Sequence, residues 1–123
     1  MARTVLVVDD EPGIRELLCR RLIKAGYKTR RAAEPVEASR IFLEEQIDAV
    51  ILDLRMPELS GFNLLEWLRT EPVERMQTVP VFILTGYTLT DAEKATLRRQ
   101  HAEVFYKPQG VNEILKALER VVA

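Results

Sequence analysis

The sequence predicts a three-layer α/β fold, with one doubly wound parallel sheet of five strands and helices on both faces. Two observations carry this. Short apolar runs of strand length alternate, five times over, with stretches whose apolar residues recur at helical spacing. The clearest runs are also apolar throughout instead of alternating with polar residues, as strands covered on both faces must be. The 123 residues suit one domain with its own core, and residues 1–123 are assigned to it as a whole.

Taken in order, Val5–Val8 is a β-branched run followed by turn chemistry, the first strand. Ile14, Leu17, Leu18, Leu22 and Ala25 then recur at helix spacing, with Pro12 acceptable in a first turn and Gly26 a natural stop. Cys19 falls beside that stripe and is expected at the helix flank. Tyr27–Ala32 is more polar and suits an edge strand. Pro35 opens a helix with Ala38, Ile41 and Phe42 on one side. Ala49 to Leu52 is the third strand. Ser60 can cap a helix bearing Phe62, Leu65 and Leu68, and residues 70–78 read as loop. Val79–Leu84 is the fourth strand, with Pro80 tolerated at its start. Thr90 and Glu93 have capping-box spacing. They open a helix thin in apolar content, with Ala92, Ala95 and Leu97 only. Val104 to Tyr106 is the fifth strand. Ile114, Leu115, Leu118, Val121 and Val122 line one side of the last helix. Of the common doubly wound arrangements, the flavodoxin-like order 2-1-3-4-5 fits five strands best.

Composition narrows the function classes. Lys and Arg number 18 against 19 Asp and Glu, a net charge of −1, and the arginine pairs are scattered. This is no footprint for nucleic acid. A single cysteine forbids an internal disulfide. No apolar run approaches the roughly 18 residues of a membrane span, and the first residues lack a signal-peptide pattern. A cytoplasmic protein is expected.

In such sheets ligands bind beyond the carboxyl ends of the strands, near the point where strand order reverses. Strand one ends on Asp9 and Asp10, and strand three on Asp53, whereas Glu11 is read as a first-turn or solvated acid outside the site. If the two strands are neighbours, three carboxylates converge. Like charges that close raise one another's pKa unless a cation intervenes. Hard oxygen donors in a cluster suit Mg²⁺, which takes one or two carboxylates and a phosphate oxygen. Strand four ends on Thr85 and strand five on Lys107, adding a hydroxyl and an ammonium as donors. A metal, two donors and a carboxylate can hold a phosphoryl group, and the carboxylate can be its nucleophile.

With these residues in hand, the chain resembles the receiver domain of two-component response regulators over essentially its whole length. The resemblance rests on Asp9-Asp10, on Asp53 in DLRMPELSG, on Thr85-Gly86 and on Lys107-Pro108, in order and one set per strand end. It implies that Asp53 is the phosphoacceptor, that Asp10 binds Mg²⁺ directly and Asp9 chiefly through water, and that the carbonyl of Arg55 adds a metal oxygen. It implies that Thr85 and Lys107 hold the phosphoryl oxygens, that Pro57 and Gly61 shape the loop after strand three, and that the Lys107–Pro108 peptide is cis. The donor would be a sensor histidine kinase or a histidine phosphotransfer protein. The phosphorylated form would alter the surface of the fourth predicted helix, fifth strand and last helix for a downstream effector, without direct contact to nucleic acid or membrane.

The sequence departs from the family pattern at one switch position. The aromatic usual three residues before the lysine is Val104 here. Tyr106, two along and on the same strand face, is the candidate substitute. Arg55 and Tyr87 occupy the variable positions that influence phosphoryl lifetime, and their size predicts slow loss to water. Two other classes fit parts of the pattern. A Mg²⁺-dependent phosphohydrolase with an aspartyl-phosphate intermediate would want a second acid where Arg55 stands. A degenerate receiver, acting only as a binding module, would lack a key residue, and none is missing.

Overall fold

A computed structural model describes residues 2–54 and 60–122. Its strands are β1 (Thr4–Val8), β2 (Lys28–Ala32), β3 (Ala49–Leu52), β4 (Val81–Thr85) and β5 (Ala102–Tyr106). They form one parallel sheet in the order β2-β1-β3-β4-β5, the expected one. The reversal of order therefore lies between β1 and β3, which pair from Val5↔Ala49 to Val8↔Leu52. The more polar strand, β2, is at one edge, and β5 at the other.

Strand periodicity splits the core in two. Leu6, Val8, Val50, Leu52, Val81 and Ile83 face one side. There they meet α2 (Pro35–Glu44), α3 (Gly61–Thr70), α4 (Glu74–Thr78) and α5 (Asp91–Arg99). Val5, Val7, Ala49, Ile51, Phe82 and Leu84 face the other, against α1 (Pro12–Lys24) and α6 (Gly110–Val122). From Val5 to Val8 and all along β3 and β4 every residue is buried whichever way it points, which is why these runs carry no alternation.

Four sequence expectations change. Residues 70–78 are not all loop, since Glu74–Thr78 forms α4. Met76 is its buried anchor, and the guanidinium of Arg69 donates to the carbonyls of Met76, Gln77 and Val79. A single buried residue with a remote arginine leaves no periodic signal. Cys19 is fully buried instead of flanking, because α1 turns Leu18, Cys19 and Leu22 to the sheet. Leu17, about 100° further round the helix, is exposed, and so is Ala25. On α6, Val121 is exposed while Ala117 and Val111 take buried places. Gly26 does end α1: at φ +99° it adopts the left-handed conformation, and Tyr27 N–H closes back on the Leu22 carbonyl at 3.0 Å.

Candidate functional site at the carboxyl edge of the sheet

The parallel ladder runs one rung past the strands, and that rung carries the candidate site residues. Asp9 N–H donates to the Ala32 carbonyl at 3.1 Å, Asp53 N–H to Val8 at 2.9 Å, and Lys107 N–H to Thr85 at 2.8 Å. Each functional residue thus inherits the spacing of the sheet. Asp9, Asp53 and Thr85 are exposed by only 2%, 4% and 0%, and they are the buried polar residues among those described. One carboxylate oxygen from each of Asp9, Asp10 and Asp53 lies within 4.8 Å of the others.

Lys107 answers these charges. Its Nζ stands 3.2 Å from Asp9 Oδ2 and 3.5 Å from Asp53 Oδ2. A third carboxylate, Glu11 Oε1, is nearer still at 2.6 Å. This corrects the expectation that Glu11 serves only as a first-turn or solvated acid outside the site. The misreading has a geometric origin. Glu11 is the N-cap of α1, and its backbone N–H donates to Asp9 Oδ1 at 2.9 Å, which folds the chain back over the edge. The available signal was its place between the acid pair and Pro12, one residue into the loop that faces the end of strand five. Arg15 was also not foreseen. Its Nη1 donates to the Asp9 carbonyl at 2.7 Å and fixes the turn from β1 into α1.

Burial drives the electrostatics. It pushes the Asp9 carboxyl up to about 6; the Glu11 N–H and the Lys107 ammonium pull the other way without cancelling it, and Asp53 adds to the rise. For Lys107, burial acts to lower the pKa. The Glu11 hydrogen bond and the Asp9 and Asp53 carboxylates outweigh it, so the ammonium is held more tightly than usual.

Gly61 sets how closely α3 approaches this edge. A Cβ there would stand 2.4 Å from the Asp53 carbonyl oxygen and 2.9 Å from Leu54 Cα, so only glycine fits. Its N–H donates to the Leu54 carbonyl at 2.9 Å. At the start of the same helix, the Asn63 side chain accepts from Ser60 N–H and from the Ser60 hydroxyl. The Lys107–Pro108 peptide is cis, as expected. Arg55 and Pro57 lie outside the described residues.

The expected switch residues sit on β5, away from the acids. Val104 is half-buried and packs against the core on the α5 side, and Tyr106 is exposed. Phe105 points to the opposite core, where it meets Phe82 with ring centroids 6.2 Å apart. Tyr87 is half-buried against the core, and its N–H approaches Thr85 Oγ1 at 3.5 Å.

The acid cluster fits a hard divalent cation on its own geometry, three buried or half-buried carboxylates of which Lys107 meets two, Asp9 and Asp53. Known proteins carry the same arrangement of fold. The chain is 32% identical over 120 residues to sporulation initiation phosphotransferase F of Bacillus subtilis, covering 98% of this chain and 94% of that protein. It superposes on the Vibrio cholerae chemotaxis protein CheY4 with a TM-score of 0.88 at 29% identity, covering 99% and 100% of the two chains. The response regulator TrrA of Thermotoga maritima, solved in complex with Mg²⁺ and BeF, gives a TM-score of 0.82 at 30% identity, covering 98% and 99%. The chain spans about a third of the length of other curated relatives, which are transcriptional regulators (34% of one of them). Residues 5–119 match the response regulator receiver domain, and the chain belongs to that family.

Proposed function

We propose that residues 1–123 act as one phosphorelay receiver that takes a phosphoryl group onto Asp53 from the phosphohistidine of a sensor histidine kinase or a histidine phosphotransfer protein. The supporting observation is the convergence of the Asp9, Asp10 and Asp53 carboxylates beside Lys107 at the order reversal of the sheet. In this reading an Asp53 Oδ attacks phosphorus and the N–P bond of the donor breaks. The imidazole leaves with the bonding pair and takes a proton from solvent. Lys107 and the Thr85 hydroxyl hold the phosphoryl oxygens, so the charge that moves onto Asp53 meets fixed donors. Asp9, Asp10 and Asp53, with the carbonyl of Arg55, would hold Mg²⁺, which when bound neutralises and orients phosphoryl oxygens.

Thr85 ends the strand between β3 and β5, so drawing its hydroxyl toward Asp53 would bear on α5, β5 and α6, with Tyr106 and Val104 in the path. That surface would address a downstream effector. Reversing a 1:99 population takes about 5.5 kcal/mol of differential contact. No external substrate is part of this reading, nor direct binding to nucleic acid or membrane. Its setting is the cytoplasm, and none of the described helices is long and apolar enough to cross a membrane.

Incubation with acetyl phosphate and Mg²⁺, followed by intact mass, tests the core of the reading. The wild type should gain one phosphoryl group and Asp53→Asn none; an unmodified wild type, or an equally modified variant, sinks it. The adduct should decay slowly, and Tyr87→Ala should shorten its life severalfold. An unchanged decay rate would remove Tyr87 from any role in shielding the acyl phosphate.

A further inference from the structure

The Glu11 carboxylate competes for the ammonium that a phosphoryl group on Asp53 requires. Three acids surround Lys107 Nζ, and the nearest is not one of the two that end strands. Glu11 stands at 2.6 Å, Asp9 at 3.2 Å and Asp53 at 3.5 Å. The partners differ in character as well as distance. The Glu11 side chain is 58% exposed and that of Lys107 only 11%, so one reaches in from solvent to a group held inside. Asp9 and Asp53 are fixed by the sheet, whereas Glu11 reaches the site along a flexible side chain at the head of α1. Its carboxylate makes no capping bond to that helix.

A phosphoryl group on Asp53 would bring further negative charge to within reach of the same ammonium. Glu11 would then share Lys107 with oxygens that repel it. Asp9 cannot withdraw from its strand, but Glu11 can swing into water at the cost of one partly exposed ion pair.

We infer that Glu11 is a latch on Lys107: it holds the ammonium while Asp53 is bare and yields it to the phosphoryl group, so its charge restrains loading of the site. This rests on the receiver reading above. The latch predicts a gain of binding on its removal, and that distinguishes it from a structural role, whose loss would weaken binding.

The test uses the whole chain and Glu11→Gln, which keeps the length and shape of the side chain and removes the charge. Beryllium fluoride is titrated calorimetrically at saturating Mg²⁺, with Mg²⁺ alone titrated beforehand. It should bind the variant about 1.5- to fivefold more tightly than the wild type, the range expected of a partly exposed ion pair. Loading from acetyl phosphate should quicken in the same sense, and the metal-free urea midpoint should fall slightly, as loss of that ion pair from the bare state requires. Equal or weaker beryllium fluoride binding by Glu11→Gln, in a protein whose wild type is phosphorylated on Asp53, overturns the latch and leaves the receiver reading standing. A wild type that neither binds beryllium fluoride nor takes up a phosphoryl group overturns both.

Discussion

The interior of the sheet and its carboxyl edge are one residue apart on the same strands, yet they are built on opposite terms. Val8, Leu52 and Leu84 are fully buried and apolar; the next residues, Asp9, Asp53 and Thr85, are just as enclosed but polar. Burial of an aliphatic side chain contributes about 1.5–3 kcal/mol. Burial of a carboxylate costs free energy unless a partner stands close, and here several carboxylates share one lysine. The difference teaches where the molecule gives up stability: among the described residues, at the last rung of the ladder and not inside it. Among the described residues no buried side-chain polar atom lacks a partner, so the cost at the edge is one of charge and not of missing hydrogen bonds.

The largest effect should come from the interior. Leu52→Ala removes a fully buried side chain one residue before Asp53 and should cost about 2–5 kcal/mol in urea unfolding. A loss below 1 kcal/mol would mean that the interior near the edge is already loosely packed.

The edge should respond with the opposite sign. The Asp9 carboxyl is raised to about 6 in the folded chain against 3.8 without burial. Between those values the folded state binds more protons than the unfolded one, so Asp9 lowers stability as pH rises through this window. Metal-free Asp9→Asn should therefore be more stable than the wild type at pH 7, by up to about 3 kcal/mol from the shift of roughly two units. The advantage should fade below about pH 4, where both states of the wild type hold the proton. Urea titrations at several pH values decide this, and a variant no more stable at pH 7 would break the contrast between interior and edge.

The smallest effect belongs to a contact that neither fills core nor buries charge. Thr90 Oγ1 accepts from Glu93 N–H at 3.1 Å, and Glu93 Oε1 accepts from Thr90 N–H at 2.8 Å. Thr90→Ala should cost about 1 kcal/mol and speed hydrogen exchange of the α5 amides while leaving those of α6 alone. Exchange that rises equally in both helices would show that α5 does not open by itself.

Much of this was legible in the sequence because the strands announce themselves. Ala49 to Leu52 needs no context to read as a buried strand, and the acids and donors follow such runs directly. The strand order then brings them together. What was not legible depends on long side chains and on helix rotation. Glu11 looked like a solvated acid because its bond to Lys107 spans 96 positions of sequence. Cys19 sits next to Leu18 in the chain, and a small rotation of α1 decides which of Leu17 and Cys19 meets the sheet. The short helix around Met76 depends on Arg69, whose carbonyl partners have no side-chain signature.

Leu97 is the only buried residue of α5, against six on α6. A helix pinned at one point and stabilised by its own caps leaves most of its side chains outside the core. Substitutions along its outer face then change the surface without touching what the fold requires. The sequence of α5 is thus free to drift on that face while the packed sheet beneath it is held.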